Sequence, residues 1–593
     1  MEEEMGICLN SKMPFDNYAK MAASAYFVDK SLLLQELIPI VEDPMAVLQG
    51  NDLSRGGDIR YVCITRPRRF GKTVMAHMIA SFFGKNTKSR ELFANLAIGS
   101  HPRFDAHAGR HNVIFLSLNE MPRNCRSYER FIDRVQDRLL YDLKESFPDV
   151  PVTDDIPVWD AMRLIYEQNE DARFIFVLDE WDFIFHRNFI TEQDRIDYVT
   201  FLSNLLKDQP YVEMAYMTGI LPIAKYSSGS ELNMFCEYTM ANEEKFSDCF
   251  GFTEEEVDRL YAIYERQIKG ARSGAAQGSG KADICRKTSC REEETGSADR
   301  EKNVLKKQRV TREGLRIWYD GYHTKAGIRV YNPRSVVYAL SNNNLGSYWT
   351  SSGPYDEIFF YTEKNIDAVR DDLALMIAGT PVRANVREYA ASSMELVTRD
   401  EIFSAMVVYG FLNYDDGFIS IPNKELMDKF EDMVKKEKSL GYIHRLAASS
   451  QRMLFATLQG DTGTMETILS YVHDTESPLL MYSHETELSV VVNLAYLSAR
   501  DTYRVEREDK AGTGFVDFIF YPRRPSDDCI ILELKVDDTP RNAIRQIKEK
   551  KYALAFKGKT AEPAPYTGRI LAVGIGYSKK DKVHHCLVEE LPD

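Results

Sequence analysis

The segment IRYVCITRPRRFGKTVMAHMIASFF, residues 59–83, decides the fold. A short β-branched and apolar run passes through a tight basic loop into a pattern whose Met75, Met78, Ile79 and Phe82 share one helical face. Strand, loop and helix in that order form the context that a phosphate-binding loop requires. Backbone N–H groups of Arg69, Phe70 and Gly71 at the helix start can wrap phosphate oxygens. Lys72 can reach the β and γ phosphates of ATP, and the Thr73 hydroxyl can hold Mg²⁺. The first motif position, usually Gly, is Arg66, followed by Pro67, Arg68 and Arg69, so the generic pattern is matched incompletely.

Further out, three more apolar runs alternate with longer helical patterns: NVIFLSL (112–118), RFIFVLD (173–179) and VEMAYMT (212–218). Runs this apolar suit a parallel sheet covered on both faces, so the expected class is α/β. RFIFVLDEWDFIF places Asp179 and Glu180 at the exit of a buried strand. There Asp179 can support Mg²⁺ through water and Glu180 can polarise the attacking water. Alone, an Asp-Glu pair reads as an acidic helix start favoured by the dipole; a phosphate loop upstream favours chemistry. Thr218 closes the next strand and can sense the γ phosphate, while Lys225 and Arg187 are candidate charge-stabilising fingers that read more simply as solvated side chains.

The 593 residues provide for two to four domains, and 44% apolar, 28% charged and 11% aromatic residues describe an ordinary folded chain. With 75 Lys and Arg against 90 Asp and Glu the net charge is −15, which excludes a globally basic nucleic-acid coat protein and makes any phosphate binding local. Nine scattered cysteines without a Cys-x-x-Cys indicate neither a disulfide framework nor structural zinc, and fit the cytoplasm. No signal peptide or membrane span is expected, and His584, His585 and Cys586 read as a strand end. Residues 269–303, rich in Gly, Ser, Lys and Glu, read as a flexible insertion or linker.

The second informative stretch is FVDFIFYPRRPSDDCIILELKV, residues 515–536. Alternation puts Val516, Phe518 and Phe520 on one face opposite Asp517, Ile519 and Tyr521. In the second strand Ile530, Leu532, Leu534 and Val536 oppose Cys529, Ile531, Glu533 and Lys535. If Tyr521 pairs with Cys529 across the Pro-rich turn, Asp517 stands opposite Glu533 with Cβ atoms about 5 Å apart. Two facing carboxylates repel unless a cation lies between them, and Mg²⁺ held by oxygen ligands meets that condition. Lys535, on the face of Glu533, can orient or deprotonate the attacking water. The plainer alternative is an exposed charged sheet face with a Glu533–Lys535 ion pair.

The segments YFVDKS (26–31), TRPRRFGKT (65–73), LDEWD (178–182), TGILPIAKYSSGSELN (218–233), WYDGYH (318–323), YNPRSV (331–336) and IPNKE (421–425) resemble the bacterial AAA-ATPase-like family. That family typically joins a P-loop ATPase to a C-terminal domain of the PD-(D/E)XK nuclease superfamily. The Arg-Pro-Arg-Arg-Phe loop is similar to the family's own. Asp179 and Glu180 match its Mg²⁺-site and water-activating acids, with Trp181 where Tyr is more usual. Asp517, fifteen intervening residues and then Glu533-x-Lys535 resemble the nuclease core. The resemblance implies a further metal-side acid on HETELSVVVNLAYLSAR, Glu487 or Glu485, of which the helical pattern favours Glu487, and superfamily roles for Gln546 and Tyr552 on the following helix. Arg541, Arg545, Lys548, Lys550 and Lys551 make that helix the one local basic feature. WYDGYH and YNPRSV read as packing and turn elements that line an interface with the ATPase domain.

The expected organisation is a P-loop domain over 1–268, the insertion over 269–303, a mostly helical region over 304–475 and a restriction-endonuclease-like α/β domain over 476–593. The expected function is an ATP-regulated, Mg²⁺-dependent nuclease acting on DNA, with RNA and homo-oligomerisation left open and no membrane partner. The alternative from another class is an ATP-driven switch or assembly module whose nuclease-like domain binds without cutting.

Overall fold

The computed structural model describes residues 6–42, 59–85, 88–169, 172–223, 231–241, 243–277, 309–349, 356–386, 396–474, 485–511, 514–552 and 566–592. Helix α1 (Lys12–Ala22) precedes a sheet of β1 (Tyr61–Thr65), β2 (Asn112–Ser117), β3 (Phe174–Asp179), β4 (Val212–Gly219) and β5 (Cys236–Tyr238). Helix α2 (Lys72–Phe83) follows β1, and α3 (Tyr128–Ser146) lies between β2 and β3. The strand order is β2-β3-β4-β1-β5 and every pairing is parallel. The continuous apolar runs have a direct cause, since both faces of the sheet are covered. Ile114 and Leu116 enter one core cluster while Val113 and Phe115 enter the other. Because β4 lies between β1 and β3, Thr218 stands beside Ile64 on one side and Asp179 on the other. The carboxyl ends of the strands bearing the loop and the acids thus meet at one rim.

Gly71 opens α2 at φ +91°, a left-handed conformation that glycine adopts without strain. The four residues expected on one face of α2 are buried together against the sheet. Arg66, the departure from the generic loop, is a structural residue at 2% exposure. Its guanidinium donates to the carbonyls of Thr65, Tyr238 and Phe246 at 2.8, 2.7 and 3.3 Å and lies over the Phe250 ring. It fastens the end of β1 to β5 from behind the loop.

Helix α4 (Glu254–Gln277) runs into the stretch expected to be flexible, so residues 269–277 are helical, while 278–303 lie outside the described residues. The middle region contains the pair β6 (Tyr322–His323) and β7 (Arg329–Val330), then α5 (Pro333–Asn342). It continues with β8 (Val382–Arg383), α6 (Arg399–Tyr409), β9 (Asn413–Asp415) and β10 (Phe418–Ser420), among other helices. Glu425 of IPNKE, 1% exposed, accepts from the Trp349 amide at 2.6 Å and the Ser335 hydroxyl at 2.8 Å, binding that motif to YNPRSV. Tyr322 of WYDGYH packs edge-on to Phe70 and donates to the Gly410 carbonyl at 2.9 Å.

The last region starts with α7 (Glu485–Ala495) and builds a second sheet from β11 (Tyr503–Ala511), β12 (Gly514–Pro522), β13 (Cys529–Val536), β14 (Ile570–Ser578) and β15 (Val583–Leu591). Helix α8 (Pro540–Glu549) crosses between the parallel pair β13 and β14. The expected hairpin is therefore the centre of a larger sheet. One core cluster extends from Phe70 and Leu221 through Trp349, Met406 and Leu446 to Phe518, Leu532 and Tyr577. Among the described residues no helix is long and apolar enough to cross a membrane.

Candidate functional site

At the first rim Lys72 is buried, and its Nζ donates to the carbonyls of Arg66 and Pro67 at 2.8 and 2.9 Å. Burial lowers its pKa to about 8 against the opposing pull of Asp182, Asp179 and Glu180. Arg69 occupies the left-handed region at φ +72°. Thr73 is exposed at the mouth, whereas the Phe70 ring points into the core, leaving only its backbone for a ligand.

The acids come from β3. Asp179 is fully buried, and neither carboxylate oxygen has a hydrogen-bond partner of ordinary geometry, although the Thr73 hydroxyl and the Glu180 amide lie close to it. Burial raises its pKa to about 6, an effect the neighbouring Thr73 hydroxyl moderates. The Thr218 hydroxyl beside it is also buried without a partner. Buried polar atoms are normally paired, so these three oxygens fit a hydrated cation placed next to Thr73. Glu180, at φ +54°, accepts from Asn119 Nδ2 at 2.8 Å. Asp182 of the same LDEWD motif takes the amides of Ile220 and Leu221 at 3.0 and 2.8 Å and so fixes the turn after Thr218.

Sequence reading missed two residues here. Asn119 lies 61 positions before Glu180 and reaches it only because β2 and β3 are neighbours. Arg334, from YNPRSV, lies near the loop: behind burial, it and Arg68 are the cations that depress the pKa of Arg69. Arg334 stacks on Tyr338 with its Nε buried and unpartnered. The cation inside an otherwise packing-like motif was the available signal. Arg187 lies 3.8 Å over the Phe183 ring, and Lys225 is outside the described residues.

At the second site Phe518, Ile519 and Phe520 stand opposite Leu532, Ile531 and Ile530, the expected register, which places Asp517 across from Glu533. The paired ladder stops at Phe518, because Asp517 Oδ2 accepts the Leu534 amide at 2.7 Å. Val516 departs from strict alternation: it packs with Ile519 and Tyr521, while Phe518 and Phe520 enter the large core. The parting of the strands at Asp517 accounts for that switch.

Glu533 is 3% exposed; Gln546 of α8 donates to its Oε1, and its Oε2 has no partner. Burial, followed by the charge of Asp517, raises the Glu533 pKa to about 7. Lys535 Nζ lies 3.6 Å from Glu533 and 3.3 Å from Glu485. Burial opposes its charge, but Glu485, Glu533 and Asp517 together raise its pKa above the ordinary lysine value. Lys535 is thus an ammonium donor, suited to orienting water or phosphate rather than taking a proton. The acid of α7 that reaches Lys535 is Glu485, while Glu487 is half-buried two residues further on. Tyr552 donates to the Phe515 carbonyl at 2.5 Å, a structural link. On β15, His584 and Cys586 face inward and His585 outward, and no group of three metal-ligating residues exists among the described residues.

Residues 54–228 match the family model described as Predicted AAA-ATPase, and residues 487–583 match the PD-(D/E)XK nuclease superfamily. The chain therefore carries an AAA-ATPase-like domain and, C-terminal to it, a domain of that nuclease superfamily. An uncharacterised protein of the vnfD 5′ region of Azotobacter chroococcum is 23% identical over 297 residues, 49% of this chain and 47% of that protein. The chain thus spans about half the length of this curated relative. Among solved structures, a Walker-type ATPase of Pyrococcus abyssi is similar at 10% identity and a TM-score of 0.33, over 63% of this chain and 91% of that one. The ORC2 protein of Aeropyrum pernix is similar at 9% identity and a TM-score of 0.29, over 68% and 94%.

Proposed function

We propose that this chain binds and hydrolyses ATP at the loop between β1 and α2, and that its nucleotide state controls Mg²⁺-dependent hydrolysis of DNA phosphodiesters at Asp517, Glu533 and Lys535. The observation that carries this reading is common to both sites. Asp179 and Glu533 are buried carboxylates that retain oxygens without a hydrogen-bond partner of ordinary geometry, a costly arrangement that a cation relieves. Mg²⁺, when bound at these sites, supplies charge neutralisation and Lewis acidity toward phosphoryl oxygens.

The chain's own residues do the rest. Loop amides from Arg69 to Thr73 and the Lys72 ammonium hold the β and γ phosphates, Arg334 adds positive charge from the middle region, and Thr73 and Asp179 hold the cation with Thr218 beside them. Glu180 accepts the proton of the attacking water. At the second site Asp517 and Glu533 hold the cation, and Gln546 fixes one Glu533 oxygen. Lys535 orients the water, with Glu485 anchoring its ammonium; Glu487, on the same helix, is the further acid on the metal side. Gly410 packs on Pro67 of the loop, and their neighbours Phe70 and Phe411 belong to a core that continues into the nuclease-like sheet, which supports communication between the sites.

The deciding experiment is cleavage of labelled single- and double-stranded DNA with Mg²⁺, with and without ATP, comparing the native chain with Lys535→Ala. Cleavage that the variant loses and ATP modulates is expected. No cleavage, alongside ATP turnover that Lys72→Ala removes, would replace this reading with a switch whose nuclease-like domain only binds.

A further inference from the structure

A third site lies at the outer edge of β2. Residues 8–10 cover part of that edge: Phe115 donates to the Cys8 carbonyl at 2.9 Å, Asn10 to the Val113 carbonyl at 2.7 Å, and Val113 to Asn10 Oδ1 at 3.0 Å. Asp142 of α3 locks this cover by accepting the amides of Ile7, Cys8 and Leu9 at 2.8, 2.5 and 2.9 Å. The chain then turns away, with Gly6 N donating back to the Leu9 carbonyl at 2.9 Å. Because outward amides alternate along a strand, the next after Val113 and Phe115 belongs to Ser117, just past the cover. A cavity of about 320 Å³ opens there between the edge, α1 and α3. That volume is in the range of small-molecule sites.

The lining is apolar along Ile7, Met13, Leu118, Phe131 and Val135, with a small set of charges. Arg138 is neutralised by Glu120 at 2.9 Å. Arg134 has no carboxylate paired with it among the described residues, and its Nε is buried without a hydrogen-bond partner. Asp142, the other acid beside the lining, is already taken up by the three amides of residues 7–9, so among the described residues Arg134 is the cation without a paired carboxylate, and it favours one negative charge on an apolar body. A neutral lipid would leave Arg134 unpaired, and a polyphosphate would place excess charge against apolar walls.

The site also connects to the acid of the first rim. Ser117 Oγ donates to Asn119 Oδ1 at 3.0 Å, and Asn119 Nδ2 donates to Glu180 Oε2 at 2.8 Å. We propose that this cavity binds a small carboxylate with an apolar tail, and that the ligand, by taking the Ser117 hydroxyl, releases Asn119 and with it Glu180. The regulatory half rests on the role proposed above for Glu180; the binding half does not.

The test uses octanoate with the full chain, first by calorimetry without nucleotide. One-to-one binding is expected, at least about tenfold tighter than that of octanol, which has the same tail without the charge. Arg134→Gln should weaken it by a similar factor, and Val135→Trp, which fills the cavity, should abolish it in a protein whose thermal transition shows it folded. Absence of binding to the native chain at about 10 mM, or equal binding by Val135→Trp, overturns the site. In the second arm octanoate should raise ATP turnover of the native chain and leave that of Val135→Trp unchanged. Binding without any effect on turnover overturns the Ser117–Asn119 route while the site stands. Absence of turnover in every form overturns the ATPase reading and leaves the calorimetry to decide the site.

Discussion

Asn119 and Glu180 meet across two neighbouring parallel strands, with Nδ2 donating to Oε2 at 2.8 Å, and the glutamate backbone is held at φ +54°. A left-handed non-glycine residue costs about 1–2 kcal/mol, so the surrounding turn fixes the position of the acid. Asn119 then restrains the side chain. Asn119→Ala should raise ATP turnover several-fold with nucleotide affinity unchanged, measured by single-turnover hydrolysis and fluorescent-nucleotide titration. A fall in turnover would assign Asn119 to positioning instead.

Lys72→Ala removes an ammonium whose neighbours are the loop carbonyls and three acids. Binding of ATP should fall at least about a hundredfold, since charge-assisted contacts to phosphate contribute about 1.5–3 kcal/mol each. Unchanged turnover in the purified variant would sink the loop assignment.

Glu533 gives a pH signature. Its folded pKa of about 7 lies above the ordinary carboxyl value of 4.5, so the folded chain holds its proton more tightly than the unfolded one. Without metal its contribution to stability is full below pH 4.5 and is lost as pH rises through about 7. Mg²⁺ needs the ionised form, so apparent metal affinity and cleavage should rise toward pH 7, with proton release on binding. Calorimetry in buffers of different ionisation enthalpy measures that release, and Glu533→Gln should abolish it.

Arg66→Leu leaves the carbonyls of Thr65, Tyr238 and Phe246 without their donor. Each unsatisfied buried group costs about 1–3 kcal/mol, and the fully buried position allows little water to compensate. A lower urea midpoint is expected, together with weakened nucleotide binding because the loop loses its anchor.

Gly410 caps α6 at φ +83°, and a Cβ there would come within 2.6 Å of Pro67 Cβ. Gly410→Val should displace the loop and lower ATP affinity from a position that touches no phosphate. Native affinity in the folded variant would show that the loop and the middle region move independently.

What could be read beforehand follows physical locality. The β12–β13 register was legible because period-two alternation and a short turn leave few alternatives, and the phosphate loop because its strand, loop and helix are consecutive. The roles of Arg66 and Asn119 were not, since their partners lie up to 180 and 61 positions away. Arg334 was hidden by a motif that does pack, through Asn332 and Ser335, while its one cation points elsewhere. The choice between Glu485 and Glu487 depended on where α7 begins, and helix ends are the least determinate feature of a sequence. The strands β11, β14 and β15 escaped because β11 is dominated by charged residues and the others follow a Gly- and Pro-containing stretch.

The core running from Phe70 to Tyr577 bears on how such a chain can be inherited. Severing the C-terminal sheet would bare Phe518, Leu532 and Val573 together with the helices that cover them. A recombination joining that sheet to a foreign ATPase would therefore yield an aggregating product unless the middle region travelled with it. The nuclease-superfamily sheet and its covering helices are heritable as one block, and a gene fragment encoding less should not give a protein that stays in solution.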